Sequence, residues 1–327
     1  MRVVRIVVNG QQAFGAEVLT ALRDRGEEVV AVYCAPDRPG AGPDPLRAAA
    51  EAAGVPVRQP ASFRDPRVAE ELRELAPDLM VMAFVTLLVP GDVLAIPRHG
   101  SIQYHPSLLP RHRGPSAINW AIIGREPTTG VTIFWPDDGL DTGPVLLTRE
   151  VVIEPDDTVG TLYFDKLFPL GVAAMLDAVD LVAAGRAPRI AQDESRATYE
   201  SWCRREDVAI DWTRSSQEVY ALVRGGDPRP GAWTTLGGTE VGCLAGRPLP
   251  AAGGTPGEVI AVDPDGIVVA TGDGALRIGR VRVDGKKAPA AEWAQEVGLA
   301  PGASFDAAPA GDAPSTPAAR PAQPRPM

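Results

Sequence analysis

The sequence predicts an α/β protein: a doubly wound, mostly parallel Rossmann-like sheet followed by a smaller, OB-like β-barrel domain. Three observations predict it. Short apolar runs rich in β-branched residues alternate with helix-length stretches through the first half of the chain, the pattern of repeated βα units. After about residue 204 the pattern changes to short strands punctuated by glycine turns. With 327 residues and 45% hydrophobic content, the chain can bury the cores of two domains.

Val3–Val8 is an apolar run that stops at Asn9-Gly10, as a buried parallel strand does. A helix is expected around Ala16–Arg25 and a second strand at Glu28–Tyr33. Pro45–Ala53 and Pro66–Leu75 read as helices opened by Asp-Pro pairs, with Asp44 and Asp65 as N-caps and proline at the first helical position. Strands follow at Leu79–Phe84, Ser101–Tyr104, Gly130–Trp135 and Val145–Ile153, then a helix from about Thr158 to Ala184. These elements set the expected first domain at 1–188 and a polar linker at 189–203. The barrel domain is expected over 204–303, with a helix near Ser216–Arg224 and strands at Gly257–Val262, Ile267–Thr271 and Ala275–Val283. Residues 304–327 are rich in alanine and proline, without periodicity, and are expected to be disordered.

The net charge of −10 argues against a protein held on nucleic acid or an anionic membrane by bulk electrostatics. Cys34, Cys203 and Cys243 lie far apart and match no metal spacing, so no metal is expected. An odd, sparse set of cysteines fits a reducing cytoplasm. The apolar N-terminal run is too short for a signal peptide, and no later stretch reaches membrane length.

Two segments carry chemistry. Of the three histidines, His105 and His112 fall within Gln103-Tyr104-His105-Pro106-Ser107-Leu108-Leu109-Pro110-Arg111-His112-Arg113-Gly114. His105 follows a predicted strand, so it is expected at the carboxyl edge of the sheet, where α/β ligand sites form. Pro106 and Pro110 limit the freedom of the loop behind it. Such an imidazole is a plausible acid-base platform, although spacing alone equally allows a histidine that merely bonds backbone in a turn. The second segment, Phe134-Trp135-Pro136-Asp137-Asp138-Gly139-Leu140-Asp141-Thr142-Gly143-Pro144, places carboxylates after another strand. One of them can meet His105; the bland alternative is an Asx-rich surface turn.

His105-Pro106-Ser107-Leu108-Leu109-Pro110 with Arg113-Gly114, and Asp141-Thr142-Gly143 downstream, resembles the formyltransferase family that uses 10-formyltetrahydrofolate. The resemblance also takes in Pro155-Asp156-Asp157-Thr158, Ala197-Thr198-Tyr199-Glu200, Pro230-Gly231-Ala232-Trp233 and Gly285-Lys286-Lys287, nearly everything before the tail. It implies His105 and Asp141 as catalytic residues: a charged imidazole stabilising negative charge on the formyl oxygen, and a carboxylate that holds the ring and helps move the nucleophile's proton. It implies 10-formyltetrahydrofolate as donor, held by Leu87, Leu88 and Val89 on one side and by Trp135, Asp137, Asp138 and Leu140 on the other. For any single apolar residue in that set, core packing is the alternative.

One position departs from the family. Its transferases carry asparagine two residues before the histidine, and the hydrolase domain of 10-formyltetrahydrofolate dehydrogenase carries an apolar residue; here the position is Gln103. The amide donor is kept, one methylene further out. Gln103 is therefore a third catalytic candidate, and transfer to a small-molecule amine stands ahead of hydrolysis by water. Methionyl-tRNA formylation ranks last. Basic residues after Arg204 are matched by acids, and the loop Pro36–Pro45 lacks a lysine-rich insertion. A folate-binding protein without catalysis would need the His–Asp pair to be vestigial.

Overall fold

The computed structural model describes residues 4–250 and 253–306. In chain order these form β1 (Arg5–Gly10), α1 (Gln12–Asp24), β2 (Glu28–Tyr33), α2 (Pro45–Ala52), β3 (Val57–Arg58) and α3 (Pro66–Leu75). Next come β4 (Leu79–Ala83), α4 (Gly91–Leu94), β5 (Ser101–His105), α5 (Ala117–Ile123), β6 (Thr128–Phe134) and β7 (Val145–Val152). After α6 (Val159–Thr161) a π-helical turn, Leu162–Leu167, leads into α7 (Phe168–Ala183), so the single helix expected there is interrupted. The rest comprises α8 (Ser216–Gly226), β8 (Trp233–Leu236), β9 (Thr239–Leu249), β10 (Val259–Asp263), β11 (Gly266–Ala270), β12 (Ala275–Val283), β13 (Lys286–Pro289) and α9 (Ala290–Glu296).

The chain divides into two compact units. The first takes its described residues from Met1–Gly114, Gly130–Val151 and Phe164–Thr198, the second from Pro115–Thr129, Val152–Tyr163 and Tyr199–Met327. The first unit is built on a seven-stranded sheet of order β3-β2-β1-β4-β5-β6-β7. β1 pairs in parallel with β2 and β4, and β4 with β5, while β6 runs antiparallel to β5. The sheet is thus mostly parallel, as expected. The winding reverses between β1 and β4, which makes their carboxyl ends the natural place for a ligand. β4 is apolar on both faces and wholly buried, as a central parallel strand must be. Asp44 and Asp65 accept hydrogen bonds from the Leu46 and Arg67 amides, so each caps its helix ahead of a proline at the first position.

In the second unit a six-stranded antiparallel sheet runs β10-β11-β12-β9-β8, with β13 beside β12. Its core gathers Val219, Tyr220 and Val223 of α8 with Trp212, Val241, Ile278 and Trp293. A capping box of Ser215 and Glu218 starts α8. The expected disorder from 304 onward is corrected at its start. Phe305 is buried and stacks on Trp212, and its N–H donates to the Gly257 carbonyl. Ser304 bridges to Glu258 beside β10 and Asp306 to Thr235 on β8, so these residues join the two ends of the strand order. One aromatic ring and two backbone bridges decide it, against a composition that favours a tail. The remainder of that stretch, 307–327, lies outside the described residues.

No helix among the described residues is long and apolar enough to cross a membrane. None of their His, Cys, Asp and Glu side chains group in threes as a metal site requires.

Candidate active site

His105 is the last residue of β5, and Gln103, two residues earlier, lies on the same face of that strand. The loop after β5 holds itself together. The Ser107 hydroxyl donates to the Arg111 carbonyl, and Thr132 of β6 accepts from the Leu109 N–H while donating to the Ser107 carbonyl. Asp141 follows β6, and its carboxylate Oδ2 accepts the Gly114 N–H at 2.9 Å. Both catalytic candidates are buried, His105 at 5% and Asp141 at 6% exposure.

The His105 ring is held from two directions. Nε2 lies 2.8 Å from the His112 carbonyl oxygen, and Nδ1 lies 3.6 Å from Asp141 Oδ2. A carbonyl only accepts, so Nε2 carries the proton there. The Nδ1 contact is longer than a hydrogen bond, which leaves that nitrogen facing a carboxylate without being saturated by it. A neutral ring has one N–H, here directed at the His112 carbonyl; only the doubly protonated ring carries a donor on each nitrogen.

Four non-glycine residues around the carboxyl ends of the strands have left-handed backbones: Gln12 (φ 60°), Phe84 (φ 62°), His112 (φ 54°) and Asp141 (φ 57°). Each such conformation costs on the order of 1–2 kcal/mol and persists only when neighbours over-determine it. At Gln12 the Asp44 carboxylate accepts the backbone N–H at 2.9 and 3.1 Å. At His112 the N–H donates to Thr198 Oγ1 at 2.8 Å.

Thr198 belongs to the stretch 189–203 expected as a linker, and the structure corrects that expectation for its first ten residues. Ile190 bridges to Val145, Gln192 donates to the Asp141 and Gly143 carbonyls, and Thr198 pairs through its carbonyl with the Arg113 N–H. The segment is a strap across the loops that carry His105 and Asp141. Its polar composition reflects backbone groups to be satisfied rather than freedom to move. Arg113 is buried, hydrogen-bonded to Gln192 and paired with Glu194 at 2.6 Å. Arg113's hydrogen bonds hold the Glu194 carboxyl below its usual range.

The expected donor-binding residues divide by exposure. Leu88 (62% exposed) and Leu140 (53%) stand open to solvent, one on the loop after β4 and one on the loop after β6. These loops approach each other: a methyl built on Gly91 would lie 2.9 Å from Asp138 Oδ1. Leu87 is half-buried against the core. Val89 and Trp135 are buried, and the Trp135 ring is covered by Arg189 while its Nε1 donates to the Pro188 carbonyl. They shape the loops from behind and present little surface of their own. Asp137 is spent on the loop itself, accepting from the Gly139 N–H and the Thr142 hydroxyl. The half-buried Gln103 carboxamide makes no side-chain hydrogen bond among the described residues.

The formyl transferase domain matches residues 1–179, and the formyl transferase C-terminal domain matches 203–298. The chain belongs to the formyltransferase family. The chain is 42% identical over 306 residues to the mitochondrial 10-formyltetrahydrofolate dehydrogenase of Homo sapiens, an alignment covering 89% of the chain and 33% of that relative. It therefore spans about a third of the length of the dehydrogenases it matches. It is 41% identical to the methionyl-tRNA formyltransferase of Geobacter metallireducens, over 86% of the chain and 92% of the relative. In fold it is similar to the N-formyltransferase from Helicobacter canadensis crystallised with folinic acid and dTDP-3-aminofucose (TM-score 0.66, 17% identity, 84% of this chain and 98% of that one).

Sequence reasoning named His105, Asp141 and Gln103 as candidates but gave no role to Gln192, Thr198 or the Arg113 side chain. Arg113-Gly114 and Thr198 stood inside the family motifs, which was the available signal for them; Gln192 carried none.

Proposed function

We propose that the protein transfers a formyl group from 10-formyltetrahydrofolate to an amine of a small-molecule acceptor. The observation that carries this reading is the buried His105–Asp141 pair, at the carboxyl end of a sheet that reverses its winding beside it. Leu88 and Leu140 offer apolar surface on two adjacent loops, which suits a flat heterocycle and supports the donor assignment. The donor supplies an activated formyl carbon. His105 would give an N–H from Nδ1 to the formyl oxygen as charge develops there. The bond from Nε2 to the His112 carbonyl fixes the ring for that purpose. Asp141, anchored by Gly114, would orient the ring, receive the proton of the attacking amine and pass it on to the folate nitrogen as the formyl C–N bond breaks. Gln103 would add a second donor. The family matches support a catalytic domain over 1–188 and a barrel domain over 204–303. A cytoplasmic setting suits the three free cysteines.

Two further acceptors have support. Similarity to 10-formyltetrahydrofolate dehydrogenase, with the hydrolase domain that the sequence resembles, fits water as acceptor, and similarity along nearly all of a methionyl-tRNA formyltransferase fits an aminoacyl-tRNA. The net charge of −10 weighs against the tRNA. Incubation with 10-formyltetrahydrofolate alone, with amino acids or amino sugars, and with charged initiator tRNA, following tetrahydrofolate formation, separates the three. His105→Ala and Asp141→Ala should each lower the rate by about 10²–10³ while the fold is retained. Wild-type turnover by either purified variant sinks the assignment.

A further inference from the structure

We propose that Gln192 is a positioning residue for the His105–Asp141 pair, its carboxamide locking the Asp141 turn to the loop that carries His112 and Arg113. The inference rests on the reading of those two residues as the reacting pair. Gln192 Nε2 donates to the Asp141 carbonyl at 2.8 Å and to the Gly143 carbonyl at 2.7 Å. Its Oε1 accepts from Arg113 at Nη2 (2.8 Å) and at Nε (3.2 Å). Two carbonyls require the NH₂ end and a guanidinium requires the oxygen, so the amide has one orientation and every donor and acceptor on it is used.

Each end holds something that matters to the pair. Asp141 has a left-handed backbone, and a turn of that kind needs external partners to persist. Gln192 supplies them on either side of Thr142. At the other end, Arg113 sits between His112, whose carbonyl fixes the His105 ring, and Gly114, whose N–H holds the Asp141 carboxylate. Arg113 is itself anchored through Glu194 and through its own N–H to Thr198. The strap thus ties the imidazole's backbone support and the carboxylate's backbone support to a single side chain. The 3.6 Å separation of Nδ1 from Oδ2 is what that tie would set. No other residue type can substitute fully. Met keeps the bulk and loses every bond, Glu sets an oxygen against two carbonyls, and Asn falls a methylene short.

The test uses Gln192→Met, Gln192→Glu and Gln192→Asn in the full chain. Turnover of 10-formyltetrahydrofolate should show kcat lowered about 10- to 100-fold for Met and Glu and less for Asn, as expected for a misplacement on the order of 1 Å. Binding of folinic acid should stay within about 2-fold of wild type, since a positioning role moves kcat rather than donor affinity. Histidine side-chain NMR adds a readout that needs no acceptor, with only His99, His105 and His112 to assign. The His105 ring resonances should move in Gln192→Met in the direction in which Asp141→Asn moves them. Wild-type kcat with unmoved His105 resonances overturns the proposal. So does a kcat loss matched by an equal loss of folinic acid binding with His105 unmoved, which marks a merely structural residue. If Gln192→Met does not fold, the same readings on Gln192→Asn decide. Undiminished turnover by His105→Ala and Asp141→Ala would instead remove the underlying reading, whatever the Gln192 variants do.

Discussion

Gly143→Ala is the substitution whose consequence can be worked most directly. A methyl at this position would stand 1.8 Å from the Trp135 carbonyl oxygen and 2.9 Å from its carbon, where real contacts essentially never fall below 3.0 Å. The obstacle is backbone, so no rotamer change relieves it. The Trp135 N–H also donates to the Pro144 carbonyl at 2.9 Å, which pins the two segments together at that point. They would have to part by more than about 1 Å, and Asp141 lies two residues upstream. With Asp141 in its proposed role, a shift of about 1 Å costs on the order of 10² in rate, about 2.7 kcal/mol of barrier. Overpacking adds a stability loss of about 1–3 kcal/mol. Gly139→Ala is the control. There the methyl meets the Thr142 hydroxyl at 1.9 Å, an obstacle that a side-chain rotation moves, and the rate should fall less than about 10-fold. Initial rates of tetrahydrofolate formation at saturating donor, with urea midpoints for each variant, measure both effects. Gly143→Ala within about 3-fold of wild-type turnover and with an unchanged midpoint would refute the reasoning.

Gln103→Leu should lower formyl transfer by about 10-fold or more, with Gln103→Asn retaining more, if the half-buried amide holds the developing oxyanion; equal formate release by both variants, with no amine raising the rate, favours water as acceptor. Burial pushes the Cys34 thiol up to about 11 and the Cys203 and Cys243 thiols up to about 12. Each therefore stays protonated at pH 8, and the native protein should react with iodoacetamide far more slowly than the urea-unfolded chain. Labelling of any one of them at the rate of a free thiol contradicts that burial.

The central strands and the two Asp-Pro helix starts were legible because local chemistry decides them. A run such as Leu79–Ala83 is apolar at every position, and Asp44 and Asp65 cap their helices by accepting amides two residues along the chain. Val57–Arg58 is too short to show a period, and β9 is interrupted by Gly242, Gly246 and Pro248. The helix expected from Thr158 is apolar enough throughout to look continuous, yet its Leu162–Leu167 turn is π-helical. In the site, His105 and Asp141 stood in long motifs. Val89 and Trp135 were readable as apolar but not as buried, because exposure depends on which loops close over them. Gln192 is a lone amide in an irregular stretch, 51 residues from the carbonyl it holds. Its partners become neighbours only when β7 and the strap are brought together through Val145 and Ile190.

The bridges made by Ser304 and Asp306 bear on solubility as much as on architecture. Unpaired strand edges are templates for another chain, and antiparallel sheets in small domains protect them by closure. Here closure depends on the last few described residues: Phe305 inserts beside Trp212, and Asp306 pairs with Thr235 through both backbone and side chain. A chain shortened to residue 306 keeps that seal, whereas one shortened to 303 uncovers the flanks of β8 and β10 together. The two lengths differ by three residues and touch none of the groups around His105, so their difference would be felt as self-association on storage rather than as lost chemistry.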